Sequence, residues 1–385
     1  MAREHPHPLK DALKSPPQIK NIFLFVIIFL LFGHAILFSA TAVLALHHHE
    51  SEFHYLIAQI WTSLLGLVLM SLFSYLPSNT LKKLAPTLLW GQIFILLLTR
   101  YSPLGHSAQG ATRWISFLGF SFQPSEMSKI VLVLFLANLF SHPNRQKWKW
   151  LDWAKHLSPI FLMIWLVYKE PDLGTCVLLT LTGLAMGFLA GLRTLYVLLF
   201  LSTSAGFFVF SLLHSGYRKK RILAFLDPFS DPHGKGFQTI QSLLSFYHGK
   251  LLGVGLGNSS LISLLPEIHT DFIFALIGEE LGFVGSVSVI LLFVLFLYTL
   301  FKIVLYAKDD FSKYLTFGLI CSLALQILVN LGGVTALLPI KGLPLPFLSW
   351  GRSALITHLM LIGILLSVLR EANQRGSEQK RVTHP

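Results

Sequence analysis

The chain has 385 residues, of which 54% are hydrophobic and only 12% are charged. Soluble domains typically carry about 25% charged residues, so the composition excludes a set of soluble domains and indicates a polytopic membrane protein. The formal net charge of +12 comes from basic residues scattered over short loops, which favours membrane topology over nucleic-acid binding. The two cysteines fall in apolar runs and imply neither a disulfide framework nor a metal cluster.

Apolar runs of spanning or near-spanning length occur about ten times along the chain. They lie near 21–46, 54–76, 84–99, 124–140, 156–168, 174–191, 193–214, 271–305, 314–338 and 346–369. Because these runs show no alternation, they predict helices and not a barrel. The predicted fold is an all-α polytopic membrane protein with about ten transmembrane helices and a long extracytoplasmic loop, 215–270, between helices 7 and 8. Polar tails, 1–20 and 371–385, flank one transmembrane domain over 21–370.

The basic residues predict the orientation of the bundle. With the N-terminus inside, 18 of the 30 Lys and Arg residues fall in inside segments and 11 in outside segments, and Lys129 lies within a span. This distribution follows the positive-inside rule and places both termini in the cytoplasm. Six of the outside charges lie in the 215–270 loop, where they suit either anionic lipid headgroups or an anionic substrate such as a pyrophosphate.

A polar loop with Glu267, His269 and Asp271 runs directly into an apolar helical pattern. Asp271 is predicted at the N-terminus of that helix, where free N–H groups and the macrodipole favour a carboxylate. A helix cap alone would explain this residue, whereas a charge at the edge of a span also indicates a function or a partner. Glu279 and Glu280 are predicted about two turns further along the same helix.

The stretch from Gly110 to Lys129 carries a second set of polar groups. Pro124 predicts a helix start, and Glu126 and Lys129, three residues apart, share a face of that helix. The charge of Lys129 lies within a span and should therefore be paired there. Such a pair can stabilise the bundle or act directly in a site. Arg113–Trp114, upstream, is either an interfacial anchor or an anion clamp beside an aromatic ring.

Three further stretches combine polar groups with turn residues. In Tyr168–Thr175, Asp172 can cap the next helix. Within the long loop, FQTIQSLLSFY predicts a short amphipathic helix at the membrane interface, and the glycines that follow it at 249, 253, 255 and 257 permit close approach of a ligand or another helix. The stretch Leu337–Ile356 has prolines at 339, 344 and 346 that break the backbone at membrane depth, which is tolerated where the segment is buried or lines a cavity. Lys341 and Arg352 bring positive charge to it.

Together these stretches resemble, in order and over about residues 20–370, the SEDS family of cell-wall proteins, the FtsW/RodA/SpoVE group. The matching motifs are RWI…QPSE…K, EPDLGT, GVGLG followed by LPEIHTDFIFA…EELG, and LPIKGLPLPFLS. RKKRILAFLDPFSDP, VGLGNSS and GEELG look more like the division branch, FtsW, than the elongation branch, RodA. Two stretches depart from the family: SWGRS (349–353) replaces the usual SYGGS, and HGK (248–250) stands where SGG is common.

The resemblance implies a peptidoglycan glycosyltransferase that polymerises lipid II, the undecaprenyl-pyrophosphate-linked disaccharide, at the outer face of the cytoplasmic (inner) membrane. It implies Asp271 as the catalytic aspartate and Glu126 and Lys129 as a supporting acid–base pair. The residues expected to bind the substrate or its pyrophosphate are Arg113, Arg218, Lys219, Lys220, Arg221, Glu267, His269 and Lys341. The one cofactor considered is a divalent cation, Mg²⁺ or Mn²⁺, which is a candidate for neutralising the leaving group.

The implied partners are lipid II, a class B penicillin-binding transpeptidase, other division proteins and membrane lipids, at the division site. Two other functions are compatible with the residues. A lipid II flippase would use intramembrane Glu126, Lys129, Glu279 and Glu280 as a polar path, although the chain shows no inverted repeat. A scaffold that only activates a transpeptidase would not need the loop carboxylates.

Overall fold

The computed structural model describes residues 18–47, 51–103, 105–108, 111–117, 120–192, 216–234, 236–259 and 267–383, with isolated positions between them. The predicted helical class is confirmed. The helices are α1 (Ile19–His47), α2 (His54–Ser74), α3 (Ser78–Tyr101), α4 (Pro124–Phe140), α5 (Trp150–Lys169), α6 (Leu173–Leu189), α7 (Gly216–Leu226), α8 (Phe237–Gly249), α9 (Ile273–Glu280), α10 (Gly282–Tyr306), α11 (Asp310–Val334) and α12 (Arg352–Thr383).

Within the described ranges, six helices are long and apolar enough to cross a membrane: α1, α2, α3, α10, α11 and α12. Helix α6 is apolar but shorter, and α4 and α5 occupy two more of the predicted spans. The predicted span near 193–214 lies almost entirely outside the described residues. The predicted total of about ten transmembrane helices therefore stays a prediction.

Helices α4, α11 and α12 form the interior of the bundle. Helix α12 packs along α2, and α4 packs against both α3 and α11. The apolar part of α12, Arg352–Gln374, is 94% buried, so this helix is surrounded by protein. Close packing depends on a small residue at Gly363, where a Cβ atom would lie only 2.4 Å from the backbone oxygen of Met70, as is common between membrane helices. The interior positions the polar side chains described below.

A small antiparallel sheet precedes α4 and is an addition to the predicted all-α fold. Its strands are β1 (Gly105–Ala108), β2 (Ala111–Phe117) and β3 (Phe120–Phe122), in that order. Ile115 lies opposite Gly105 on one side and Phe122 on the other. The aromatic and β-branched residues of β2 are typical of strands. The sheet places Arg113 on β2, close to the turn between α5 and α6.

The prediction of one continuous helix over 271–305 is wrong. The structure has two helices, α9 and α10, which are separated at Leu281 because Gly282 adopts a left-handed φ of +66°. Glycine accepts this conformation at little steric cost. A break at this depth leaves carbonyl and N–H groups outside the helical ladder, and each of them needs a partner.

The glycine-rich loop after α8 supplies those partners. The N–H groups of Val254 and Gly255 each donate to a carbonyl at the end of α9 over 3.0 Å, and the first N–H groups of α10 donate back to the carbonyls of Lys250 and Leu251. A Cβ atom at Gly253 would lie 2.1 Å from the carbonyl oxygen of Glu280. The predicted close approach of these glycines to another helix is therefore confirmed.

The predicted amphipathic helix in the long loop is also confirmed, as α8. Its buried side is small and polar, comprising Thr239, Ser242, Ser245 and Gly249, and its other side exposes Leu243, Leu244 and Tyr247. Near the C-terminus, α12 continues to Thr383, so most of the segment predicted as a polar tail, 371–385, is helical.

Topology is the first testable prediction. We expect a cysteine at Ser230, in the long loop, to react with a membrane-impermeant maleimide added to intact cells, and a cysteine at Asn144, between α4 and α5, to react only after permeabilisation. The motive is the distribution of basic residues; both positions are exposed. The experiment needs a background with Cys176 and Cys321 replaced by Ala. Labelling of position 144 from outside, with protection at 230, would reverse the orientation.

Candidate active site

Asp271 lies in a turn before α9 and does not cap that helix, which corrects the prediction from the sequence. Helix α9 begins at Ile273, the residue before it is Phe272, and no side chain caps it. The N–H group of Asp271 donates to the carbonyl oxygen of Glu267 over 3.2 Å. Glu267 itself has a left-handed φ of +63°, which is uncommon for a residue with a side chain. The turn thus ends before the helix begins.

The side chain of Asp271 faces the proline-containing segment between α11 and α12. A Cβ atom built on Gly342 would lie 3.2 Å from Oδ2 of Asp271, so the absence of a side chain at Gly342 leaves room beside the carboxylate. The predicted break in the backbone is confirmed, since residues 335–351 contain no helix. The same segment is hydrogen-bonded to the turn, because the N–H of Trp350 donates to the carbonyl oxygen of His269 over 2.8 Å.

Two amide side chains of α11 hold these pieces of backbone in place. Nδ2 of Asn330 donates to the carbonyl oxygens of Asp271, at 2.9 Å, and Leu343, at 2.8 Å. Nε2 of Gln326 donates to the carbonyl oxygen of Pro344 over 2.9 Å. Sequence reasoning missed both residues, although polar amides four positions apart in an apolar helix are a signal of buried partners.

Glu126 and Lys129 form the buried pair that their spacing predicts. Helix α4 begins at Pro124 as predicted, and Nζ of Lys129 lies 2.7 Å from Oε2 of Glu126, with both side chains 3% exposed. Nζ also donates to Oε1 of Gln326 over 2.6 Å. The same oxygen lies 3.2 Å from Nε2 of His358. Gln326 therefore connects the ion pair to the segment that faces Asp271.

Arg113 uses two of its donors on the turn between α5 and α6. Nε donates to the carbonyl oxygen of Glu170 and Nη2 to that of Pro171, both over 2.7 Å. Asp172 caps α6 as predicted, because its Oδ1 accepts from the N–H of Thr175 over 3.0 Å. Arg113 thus fastens β2 to this turn, and its predicted roles, as an interfacial anchor or as a clamp for a pyrophosphate, both stay predictions.

Glu170, in the same turn, is fully buried, and neither of its carboxyl oxygens has a hydrogen-bond partner among the described residues. Burial, followed by the nearby charge of Asp172, raises the pKa of Glu170 to about 8. The charge of Arg113 acts in the opposite direction and lowers it. The neutral acid is therefore favoured in the folded protein at neutral pH.

We expect Glu170→Gln to be more stable than the wild type at pH 8 and to differ little from it at about pH 5. In the folded protein the carboxyl group keeps its proton up to about pH 8, whereas in the unfolded chain it loses the proton at about pH 4.3. The stability of the wild type therefore falls as the pH rises between these two values. Each unit of difference between the folded and unfolded pKa corresponds to about 1.4 kcal/mol of that loss. Thermal unfolding in detergent across this range measures the effect, with exposed Glu52→Gln as the control; a pH-independent difference would contradict it.

The other predicted binding residues lie in the turn before α9, in the proline-containing segment and on α7. The His269 ring packs beside Tyr55, with 5.7 Å between ring centroids, and burial lowers its pKa, so it is neutral at pH 7. The carboxylate of Glu267 accepts from Oγ1 of Thr270 over 3.1 Å. Lys341 precedes Gly342 in the segment that faces the Asp271 carboxylate. Arg218, Lys219, Lys220 and Arg221 belong to α7, but their side chains lie outside the described residues.

Glu279 and Glu280 are buried at the end of α9 and contact the glycine-rich loop and α1. Oε1 of Glu280 accepts from the hydroxyl of Ser39 and from the N–H of Gly257, and Oε2 of Glu279 accepts from Ser259. These contacts fasten the loop to the break between α9 and α10. Among the described residues, this region included, no three His, Cys, Asp or Glu side chains are grouped as metal ligands, and the divalent cation stays a prediction.

The arrangement has a close parallel among known proteins. A family model described as "Cell cycle protein", for FtsW, RodA and SpoVE, matches residues 19–374. The chain belongs to the FtsW/RodA/SpoVE family. A Geobacter metallireducens protein named "Probable peptidoglycan glycosyltransferase FtsW" is 36% identical over 349 residues, which are 90% of this chain and 93% of that protein. Stage V sporulation protein E of Bacillus subtilis is 34% identical over 359 residues, covering 93% and 98%.

Solved structures of FtsW/RodA/SpoVE-type proteins share the fold. A chain from a peptidoglycan synthase complex that coordinates polymerization and crosslinking superposes with a TM-score of 0.77 at 28% identity, covering 92% of this chain and 98% of that one. Thermus thermophilus rod shape determining protein RodA gives a TM-score of 0.67 at 27% identity, covering 91% and 96%. The resemblance stated from the motifs is therefore confirmed over nearly the whole length of the chain.

Proposed function

We propose that this chain is a peptidoglycan glycosyltransferase that polymerises lipid II, with Asp271 as the general base. The observation that carries the proposal is the position of the Asp271 carboxylate beside Gly342, in a turn whose backbone is held by buried Asn330. Membership of a family with peptidoglycan glycosyltransferases among its members supplies the substrate class. The Asp271 carboxylate supplies the proton acceptor that the reaction needs.

The reaction is a single displacement at an anomeric carbon. Asp271 accepts the proton of the attacking sugar hydroxyl, the hydroxyl oxygen forms a bond to the anomeric carbon, and the bond to undecaprenyl pyrophosphate breaks. One displacement inverts the configuration, so an α-linked donor gives a β-linked polymer. The negative charge that develops on the leaving group requires cations. Lys341, Arg113 and the basic run 218–221 are the candidates in this chain.

The Glu126–Lys129 pair is proposed to support this site from within the bundle. Its connection to Gln326, and through Gln326 to Pro344, couples the pair to the segment that faces Asp271. A buried pair with a further hydrogen-bond partner can hold its charges in a fixed geometry. The direct acid–base role implied by the resemblance is tested together with the structural role in the Discussion.

We further propose that the active site faces outside the cytoplasmic membrane, that the protein acts during cell division, and that its partner is a class B penicillin-binding transpeptidase. The structural neighbour from a synthase complex that couples polymerization to crosslinking supports a transpeptidase partner. The division role rests on the FtsW-like motifs in the 218–232 and 254–260 stretches and on the FtsW relatives.

The deciding experiment is polymerisation of lipid II by the purified protein, alone and with its co-purified transpeptidase, with glycan strands resolved by electrophoresis. We expect strands whose formation depends on this chain. Movement of fluorescent lipid II across vesicle membranes without any strands would favour the flippase. Strands that a partner polymerase makes equally well without this chain would favour the scaffold, so each alternative has its own result.

A further inference from the structure

Asn330 is a buried amide in an apolar helix, with only 2% of its surface exposed. Buried polar groups are expensive unless they are hydrogen-bonded. Nδ2 of Asn330 makes two hydrogen bonds, one to the carbonyl oxygen of Asp271 and one to that of Leu343. One side chain on α11 therefore ties the turn that carries Asp271 to the segment on the other side of the Asp271 carboxylate.

Gln326 extends this arrangement by one helical turn. Residues four apart lie on one face of a helix, and Gln326 donates to the carbonyl oxygen of Pro344, the residue after Leu343. Two amides on one helix thus bind two successive carbonyls, which fixes the register of the segment against α11. Gly342 is the residue before Leu343 in that segment and lies against Oδ2 of Asp271. Asn330 is therefore the side chain that links the backbone on both sides of the space between Gly342 and Asp271.

We propose that Asn330 is a positioning residue that aims the Asp271 carboxylate at the acceptor hydroxyl. The proposal rests on the proposed function, in which Asp271 is the base. Asn330 acts through the backbone of Asp271 and leaves binding of the lipid-linked donor to other residues. Its loss should therefore slow turnover without weakening donor binding, because a misplacement of about 1 Å can cost about 10²-fold in rate.

Three variants separate positioning from general stability. Asn330→Leu keeps a similar volume without donors, and Asn330→Ala only removes atoms. Thr316→Val is the matched control, because Thr316 is fully buried on the same helix, far along it from Asn330. The substitution removes one hydrogen bond, in which Oγ1 of Thr316 donates to the carbonyl oxygen of Ser312 over 2.7 Å. For each purified protein, lipid II binding gives affinity and stoichiometry, and kcat is then expressed per binding-competent molecule.

We expect the Asn330 variants to bind lipid II with the affinity of the wild type and to turn over about tenfold to about a hundredfold more slowly per binding-competent molecule. Thr316→Val should turn over normally on the same basis. Wild-type kcat per binding-competent molecule in the Asn330 variants would overturn the proposal, and so would parallel loss of binding and turnover, or failure of both variants to fold.

Asp271→Asn, assayed in parallel, separates this proposal from the proposed function. If Asp271→Asn is inactive while the Asn330 variants turn over normally, Asp271 remains the base and only positioning by Asn330 is wrong. If Asp271→Asn itself polymerises lipid II at a near-normal rate, the base assignment fails, and the positioning proposal fails with it.

Discussion

Asp271→Asn is expected to lower polymerisation of lipid II by at least about a hundredfold, because general-base catalysis is typically worth about 10²- to 10⁴-fold. An amide has the shape of the carboxylate but cannot accept the proton of the acceptor hydroxyl. Two hydrogen bonds that hold the turn use the backbone N–H and carbonyl of Asp271, and the substitution leaves both in place. The variant should therefore keep its fold, its expression and its binding to the proposed transpeptidase.

The same substitution elsewhere on the chain provides a matched control. Asp309 caps α11, where its carboxylate accepts from the N–H and the hydroxyl of Ser312, both over 2.9 Å. Asn caps helices about as well as Asp, so Asp309→Asn should polymerise normally. Glycan strands would be quantified for wild type, Asp271→Asn and Asp309→Asn, each co-purified with its transpeptidase. Near-normal strands from Asp271→Asn would remove the base assignment and point to a scaffold or a flippase.

Local signals in the sequence predicted the parts of the site that depend on neighbours along the chain. Pro124 marked the start of α4 because its fixed φ suits the first helical turn, and the spacing of Glu126 and Lys129 put them on one face. Asp172 was predicted as a cap for the same kind of reason. Each of these inferences needed only a few adjacent residues and the apolar character of the surrounding span.

The inferences that failed depended on contacts between distant segments. Asp271 looked like a helix cap, but the turn that ends at Phe272 is set by Glu267 and by Asn330 on another helix. The run 271–305 looked like one span, because nothing local shows that the loop near Gly253 binds the carbonyls at the end of α9. A glycine in an apolar helical pattern is compatible with either outcome.

Asn330 and Gln326 escaped prediction for a related reason. Their partners are backbone carbonyls of Asp271, Leu343 and Pro344, and a carbonyl leaves no mark in a sequence. Proline was the available hint, since a segment with several prolines cannot satisfy its own backbone and must find donors elsewhere. Polar amides on a neighbouring span are the donors that such a segment requires.

Lys129→Ala is expected to destabilise the protein by roughly 3–5 kcal/mol, because it leaves the Glu126 carboxylate buried without its charged partner. Lys129 also donates to Gln326, so the loss extends to the segment near Asp271. Thermal unfolding in detergent and the yield of folded protein measure the effect. Lys313→Ala is the matched control, because Lys313 lies on α11 and is exposed. Normal thermal stability of Lys129→Ala would remove the structural role.

The double variant Glu126→Gln/Lys129→Met then separates stability from chemistry. Removing both charges of a buried pair is often neutral or stabilising, whereas removing one is strongly destabilising. We therefore expect the double variant to unfold near the wild-type temperature. If Glu126 and Lys129 act directly in the reaction, as the resemblance implies, this stable protein should still fail to polymerise lipid II. Recovery of polymerisation together with stability would show that the pair only holds the bundle, and Asp271 would be left as the one side chain assigned to proton transfer.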